Sequence, residues 1–189
     1  MAGKKRHGGR NFLIFLLVSL AVFFVGKAAY GSVMTALYPK KYSEYVEKYA
    51  AEYEIEENLL YAVIRTESGF DPDSVSSASA QGLTQITEDT FEWLMTKTGE
   101  HYDFDDLFIP EIAIRYGAFF LSLLQEEYGV TETALAAYHA GMGNVSSWLD
   151  DPEYSDDGRH LTKIPISDTA HYVHKVTSAM EKYEKIYQE

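Results

Sequence analysis

The feature that most constrains this 189-residue chain lies near its start: Asn11 to Gly26 (NFLIFLLVSLAVFFVG) is an uncharged, mainly apolar run of 16 residues. It follows the basic residues Lys4, Lys5, Arg6 and Arg10. A run with no polar face cannot lie on the surface of a globular domain, so it must enter a core or a membrane. Basic residues remain on the cytoplasmic side of a membrane, so the flanking charge predicts a signal-anchor helix with the rest of the chain exported. The run is shorter than the roughly 20 residues that span a bilayer comfortably, but Ala28 to Gly31 extend it beyond Lys27. A cleaved signal peptide is the rival reading; the nearest small-x-small site, Gly26-Lys27-Ala28, suits a signal peptidase poorly. The expected layout is therefore a basic cytoplasmic segment over 1–10, a transmembrane helix over 11–31, a linker over 32–41 and one globular domain over 42–189, of ordinary domain length.

Beyond the linker the apolar residues keep helical spacing. Tyr42, Tyr45, Val46, Tyr49, Ala50 and Tyr53 fall on one face. A second helix is expected from Leu59 to about Glu67 with Asn58 as its N-cap. Its residues Leu59, Leu60, Ala62, Val63 and Ile64 are too densely apolar for an exposed helix, so it should be central. Ser68 to Gly82 contains Gly69, Pro72, Gly82 and five serines and reads as a loop. Helices are expected again near Glu88, from Pro110 to Tyr128 with Gly129 closing, from Glu132 to Ala140 after a Thr131 cap, and from about Asp168 onward. No stretch reads as a strand, so the fold class is all-α or nearly so.

Charge and cysteine content narrow the function. The formal charge is −13, and the first 27 residues hold five basic groups and no acid, which leaves 11 basic against 29 acidic residues in the remainder. A surface of that sign repels phosphate backbones, so nucleic acid is excluded as a partner. The absence of cysteine excludes a disulfide framework, a thiol nucleophile and an acylated lipoprotein cysteine. The six histidines form no His-Glu-x-x-His arrangement. Neither Asp71 with Asp73 nor the cluster Asp150, Asp151, Asp156 and Asp157 has the ligand alternation and terminal Glu of an EF-hand. No metal and no cofactor are expected.

The chemistry concentrates in Glu67-Ser68-Gly69-Phe70-Asp71-Pro72, followed by Ser76, Gly82-Leu83-Thr84-Gln85-Ile86 and Thr90. Glu67 ends a helix that is apolar nearly all round, which should set its carboxyl against a poorly solvated wall and raise its pKa. A carboxyl protonated near neutral pH can act as a general acid on a glycosidic oxygen. Three further segments accompany it: Ala136-Ala137-Tyr138-His139-Ala140-Gly141-Met142-Gly143-Asn144-Val145; Ile164-Pro165 with His171-Tyr172-Val173; and Asp106-Leu107-Phe108-Ile109-Pro110 with Gly117 and Leu121. In this order and spacing, over roughly residues 42 to 187, they resemble the soluble lytic transglycosylase domain, a lysozyme-like family that acts on peptidoglycan.

The resemblance implies a lysozyme-like helical fold, peptidoglycan glycan strands as partner, and a cleft in which Ser76, Gln85, Tyr138 and Tyr172 surround Glu67. It also implies the reaction. The acid protonates the β-1,4 bond between N-acetylmuramic acid and N-acetylglucosamine, and the same carboxylate then deprotonates the muramic C6 hydroxyl, which closes a 1,6-anhydro ring. Glycosidases that use water generally need two carboxylates. Val75 through Thr87 contain no acid, where goose-type lysozymes, the hydrolytic relatives, carry water-positioning aspartates. A hydrolytic muramidase is therefore the second reading, and a catalytically silent wall-binding module the third, opposed by the intact Glu67-Ser68 pair. The chain departs from the family pattern at Ser79, Thr84, Glu88, Ala113 and His139. His139 stands where Asn is usual and is retained as a substrate-binding candidate, because a neutral imidazole can donate from one nitrogen and accept at the other.

Overall fold

The computed structural model describes residues 7–187, the side chains of His7 and Arg10 excepted. Lys4, Lys5 and Arg6, and with them most of the expected cytoplasmic cluster, lie outside the described residues. The chain forms two compact units that divide after Pro39.

The first unit is one helix, α1 (His7–Leu37). Within it Asn11–Leu37, 27 residues that include an 18-residue window of mean hydropathy 2.4, is long and apolar enough to cross a membrane. It runs six residues past the expected end at 31, because Ser32 and Thr35 return their hydroxyls to the carbonyls of Ala28 and Gly31 and do not break the ladder.

Among its described residues the regular elements of the second unit are all helical: α2 (Ser43–Glu52), α3 (Glu57–Glu67), α4 (Glu88–Thr98), a 3-10 turn (Phe104–Phe108), α5 (Pro110–Tyr128), α6 (Thr131–Ala140), α7 (Met142–Leu149) and α8 (Ser167–Tyr187). Sequence periodicity locates most of these within a residue or two. Asn58 is not the cap of α3: the helix starts at Glu57 behind an extended Glu56 that makes no side-chain cap. Thr131 likewise lies inside α6, behind Val130. The 3-10 turn and α7 were not expected. Both are short, and Gly141 and Gly143 read as a helix end. In the structure Gly141 (φ 87°) only redirects the chain between two helices.

Helix α3 is the centre of this unit. Leu59 to Ile64, six consecutive residues, are at most 1% exposed. It lies along α8, where Tyr61 stacks on Tyr183 at 5.4 Å, and it also touches α2 and α5. Helix α6 sits between α5 and α8. A helix buried on every side has no solvated flank to which its terminal residue can retreat.

The loop after α3 is held from three directions. Ser68 Oγ donates to the Leu83 carbonyl at 2.9 Å and ties the helix end to the far side of the loop. Isolated bridges join Val75 to Gln81 and Gln81 to Ile86. Thr84 is fully buried and donates its hydroxyl to the Ala113 carbonyl of α5 at 2.9 Å. Gly82 adopts φ +71°, and a Cβ there would stand 2.0 Å from the Leu107 carbonyl oxygen. This close approach is made by the backbone of the 3-10 turn. Gly117 has the same use, since a Cβ on it would lie 2.4 Å from Thr84 Cγ2. The segment around Leu107 and Gly117 is therefore a packing partner of the loop.

A paired substitution tests this close approach. Gly82→Ala should cost about 2–4 kcal/mol in urea unfolding, from the left-handed backbone and the backbone collision together. Gly99→Ala, at the same φ of +71° with nothing within 4 Å of its would-be Cβ, should cost only about 1 kcal/mol. Equal losses would mean that the Leu107 contact contributes nothing.

Candidate active site

Glu67 is the last residue of α3, and its surroundings push its carboxyl from 4.5 up to about 7. Burial is the dominant cause. The Tyr172 hydroxyl and, more weakly, Lys175 favour the ionised form and oppose the rise without cancelling it. By accessible surface the whole residue is only of intermediate burial. Protein packed around the carboxyl itself is what sets the pKa. Among the described residues no second carboxylate acts on it.

Two tyrosines form the wall. Tyr138, on the last turns of α6, donates its hydroxyl to the Thr84 carbonyl at 2.6 Å. That bond joins α6 to the loop that leaves Glu67, and Thr84 consequently links the loop to α5 through its side chain and to α6 through its carbonyl. Tyr172, on the first turns of α8, is 6% exposed, yet its hydroxyl has no partner of ordinary hydrogen-bond geometry. It nevertheless stands near enough to the Glu67 carboxyl to act on it. A buried hydroxyl without a well-formed bond costs about 1–3 kcal/mol, and the Glu67 carboxyl is the group of the folded chain that acts on it. Burial first, and the nearby Glu67 carboxylate second, raise both phenols well above 10 and keep them protonated.

His139 joins this group from one side. Its ring stacks on Tyr172 with centroids 4.6 Å apart, and its Nδ1 lies 3.1 Å from Thr169 Oγ1. Burial lowers its pKa against a smaller opposing effect of Asp168, so the imidazole is neutral near pH 7. In this setting it buttresses Tyr172 and fixes α6 against α8.

Ser76 and Gln85 are placed differently. Ser76 Oγ accepts from the amides of Ala78 and Ala80 at 3.2 and 3.1 Å. Gln85 donates both hydrogens of its side-chain amide to the carbonyls of Ser74 and Gly82, each at 2.9 Å, and these bonds hold its own backbone in the left-handed region at φ 49°. Both residues organise the loop, leaving the Ser76 hydroxyl hydrogen and the Gln85 carbonyl oxygen for other partners. The structure thus gathers Glu67, Tyr138, His139 and Tyr172 and keeps Ser76 and Gln85 as braces. Sequence reasoning did not find Thr84 as the joint of the site, having noted it only as a departure from a pattern. A Thr between buried Leu83 and Ile86 was the available signal, since a buried hydroxyl needs an acceptor.

The chain is similar to known proteins over most of its length. Residues 44–160 match the family model described as the transglycosylase SLT domain. Membrane-bound lytic murein transglycosylase C of Yersinia pestis is 29% identical over 95% of the chain, as is that of Yersinia pseudotuberculosis. The chain spans 54% of the length of these relatives. Among solved structures, the lytic transglycosylase Slt of Pseudomonas aeruginosa, crystallised as an inactive variant, is 29% identical with a TM-score of 0.70 over 78% of this chain and 24% of its own. The 70 kDa soluble lytic transglycosylase of Escherichia coli is 25% identical with a TM-score of 0.71, covering 80% of this chain and 25% of that one. With a carboxyl buried at the end of its central helix, two tyrosines closing over it and a family match across more than half its length, the chain belongs to the transglycosylase SLT domain family.

Proposed function

We propose that this protein is a membrane-anchored lytic transglycosylase that cleaves the β-1,4 bond between N-acetylmuramic acid and N-acetylglucosamine in peptidoglycan, with Glu67 as the acid. The observation that carries this reading is the Glu67 carboxyl, raised to about 7 by burial in a domain of this family. At neutral pH a large fraction of it is protonated, as a general acid requires. Protonation of the glycosidic oxygen breaks the bond and leaves an oxocarbenium-like muramic centre, stabilised by that sugar's N-acetyl group. Glu67, now a carboxylate, accepts the proton of the C6 hydroxyl, and that oxygen attacks C1 to close the 1,6-anhydro ring. The atoms of the broken bond are all accounted for without water. One carboxyl acting twice fits a site in which, among the described residues, no second carboxylate acts on the first.

Each neighbour has a place in this scheme. The unpartnered Tyr172 hydroxyl hydrogen-bonds the Glu67 carboxylate as it forms. Tyr138 holds the loop that shapes the cleft floor. His139 keeps Tyr172 in position, while Ser76 and Gln85 offer their remaining hydrogen-bonding atoms to the strand. Helix α1 anchors the domain in a bacterial membrane as a single span, with Lys4, Lys5, Arg6 and Arg10 cytoplasmic and the catalytic domain outside. Its length and hydropathy support this, as do relatives whose names describe them as membrane-bound.

Glu67→Gln should abolish release of soluble fragments from sacculi while the protein stays folded, because an amide of nearly the same shape has no acidic proton to give. It should also be the more stable protein in alkali. A carboxyl moved from 4.5 to about 7 by folding binds more protons in the native than in the unfolded state, so wild-type stability falls as pH rises through this window. The deficit above it is on the order of 3 kcal/mol. Thermal melts of both proteins across the range measure it; parallel curves would mean that the carboxyl is not buried, and full activity in Glu67→Gln would remove it from the chemistry.

Mass spectrometry of digests should find muramic ends one water lighter than a lysozyme product; ordinary reducing ends as the main product would instead assign a hydrolytic muramidase. Activity should fall as pH rises through about 7, the Glu67 value. Tyr172→Phe removes a group that stabilises the carboxylate, so its alkaline limb should move to higher pH while its rate falls. An unmoved limb would take Tyr172 off the acid.

Protease added to intact spheroplasts should remove the domain and leave α1 in the membrane. A protein found free in the medium with its N-terminus near Ala29 would refute the anchor and leave the enzyme assignment standing.

A further inference from the structure

Four large apolar side chains are exposed in the described part of the globular unit: Val75, Trp93, Ile109 and Ile166. Trp93 is the one aromatic among them, at 36% exposure, and it stands on α4, outside every motif that identified the family. Its indole is fixed from beneath by an edge contact with Phe120 at 6.2 Å and 76°. Phe120 in turn packs against Tyr138 at 5.0 Å. Two ring contacts therefore connect Trp93 to the wall of the acid's site. Beside the indole is an open cavity of about 430 Å³ lined by Trp93, Lys97, Leu123, Glu126, Glu127 and Met142. Met142 belongs to the segment that carries Tyr138 and His139, and Tyr128 Oη, donating to its carbonyl at 3.3 Å, pins that rim.

An exposed indole with a rigid backing and charged groups around its edge offers a flat apolar face for a pyranose ring, and donors and acceptors for its hydroxyl and N-acetyl groups. Lys97 covers the ring in the free protein, with Nζ 5.4 Å from the centroid. It is a flexible side chain, and a sugar arriving over the indole can displace it into the rim. Two carboxylates against one ammonium disfavour a ligand that carries its own carboxylate. Resting on the transglycosylase reading above, we propose that the Trp93 cavity is a glycan subsite that receives a neutral N-acetylhexosamine ring of the strand being cleaved, away from the bond that breaks.

The test uses the full chain carrying Glu67→Gln, so that ligand is bound without being cut, titrated calorimetrically with β-1,4 N-acetylglucosamine oligomers of increasing length. Adding Trp93→Ala should weaken binding of the longer oligomers about tenfold, with a much smaller effect on the shortest, and Trp93→Phe should restore most of the loss. Matching melting temperatures show that the fold is kept. Equal affinity at every length with and without the indole overturns the assignment, as does an equal loss at every length. If the Glu67 protein releases anhydro products while the Trp93→Ala titrations are unchanged, the subsite alone is wrong. If it releases none and the Glu67→Gln chain binds no oligomer, the transglycosylase reading fails and takes the subsite with it.

Discussion

The withdrawal of one carboxyl from water is the constraint around which the globular unit is arranged. An ionised group in a poorly solvated place is unfavourable, and Glu67 is kept there because α3 is packed on every side and ends where α8 and the following loop close over it. Tyr172 softens the cost without removing it. A site that satisfied the carboxylate fully would be more stable and would hold it ionised at neutral pH. The orphaned Tyr172 hydroxyl, the left-handed Gln85 and the buried acid are three local costs gathered in one place, where a folded chain tolerates them only because its surroundings leave no alternative.

Those surroundings were legible in the sequence to different degrees. Dense apolar residues before Glu67 made α3 central without any structure, and the same observation placed the acid against an apolar wall. Pro110 and Gly129 marked the two ends of α5. What the sequence could not yield were joints that depend on residues far apart in the chain. Asn58 looks like a cap, but the helix begins one residue before it because tertiary packing of α3 outweighs a cap preference of about a kcal/mol. Gly82 signals a turn in the loop, and the neighbour that presses on it is the backbone at Leu107, 25 positions away. Tyr138 could be chosen among 15 tyrosines only through a family pattern, and that pattern is silent on the hydroxyl's acceptor.

His139 is braced by its own neighbours. Expected to meet substrate because of its place in a motif, it stacks on Tyr172 and bonds Thr169, bridging two helices, and it keeps an exposed edge. The imidazole therefore holds another side chain still, which any planar group with one nitrogen correctly placed could also do.

The contact between Thr84 and Gly117 has a consequence for how such a site changes over evolutionary time. The absent side chain at 117 is occupied by the methyl and hydroxyl of residue 84, whose oxygen must also reach the Ala113 carbonyl. Neither residue can drift alone, since enlarging 117 collides with 84, and shrinking 84 opens a void beneath the loop that leaves the acid. Variation at this joint is expected as compensated pairs, so the two positions carry a shared inheritance although 33 residues of chain separate them.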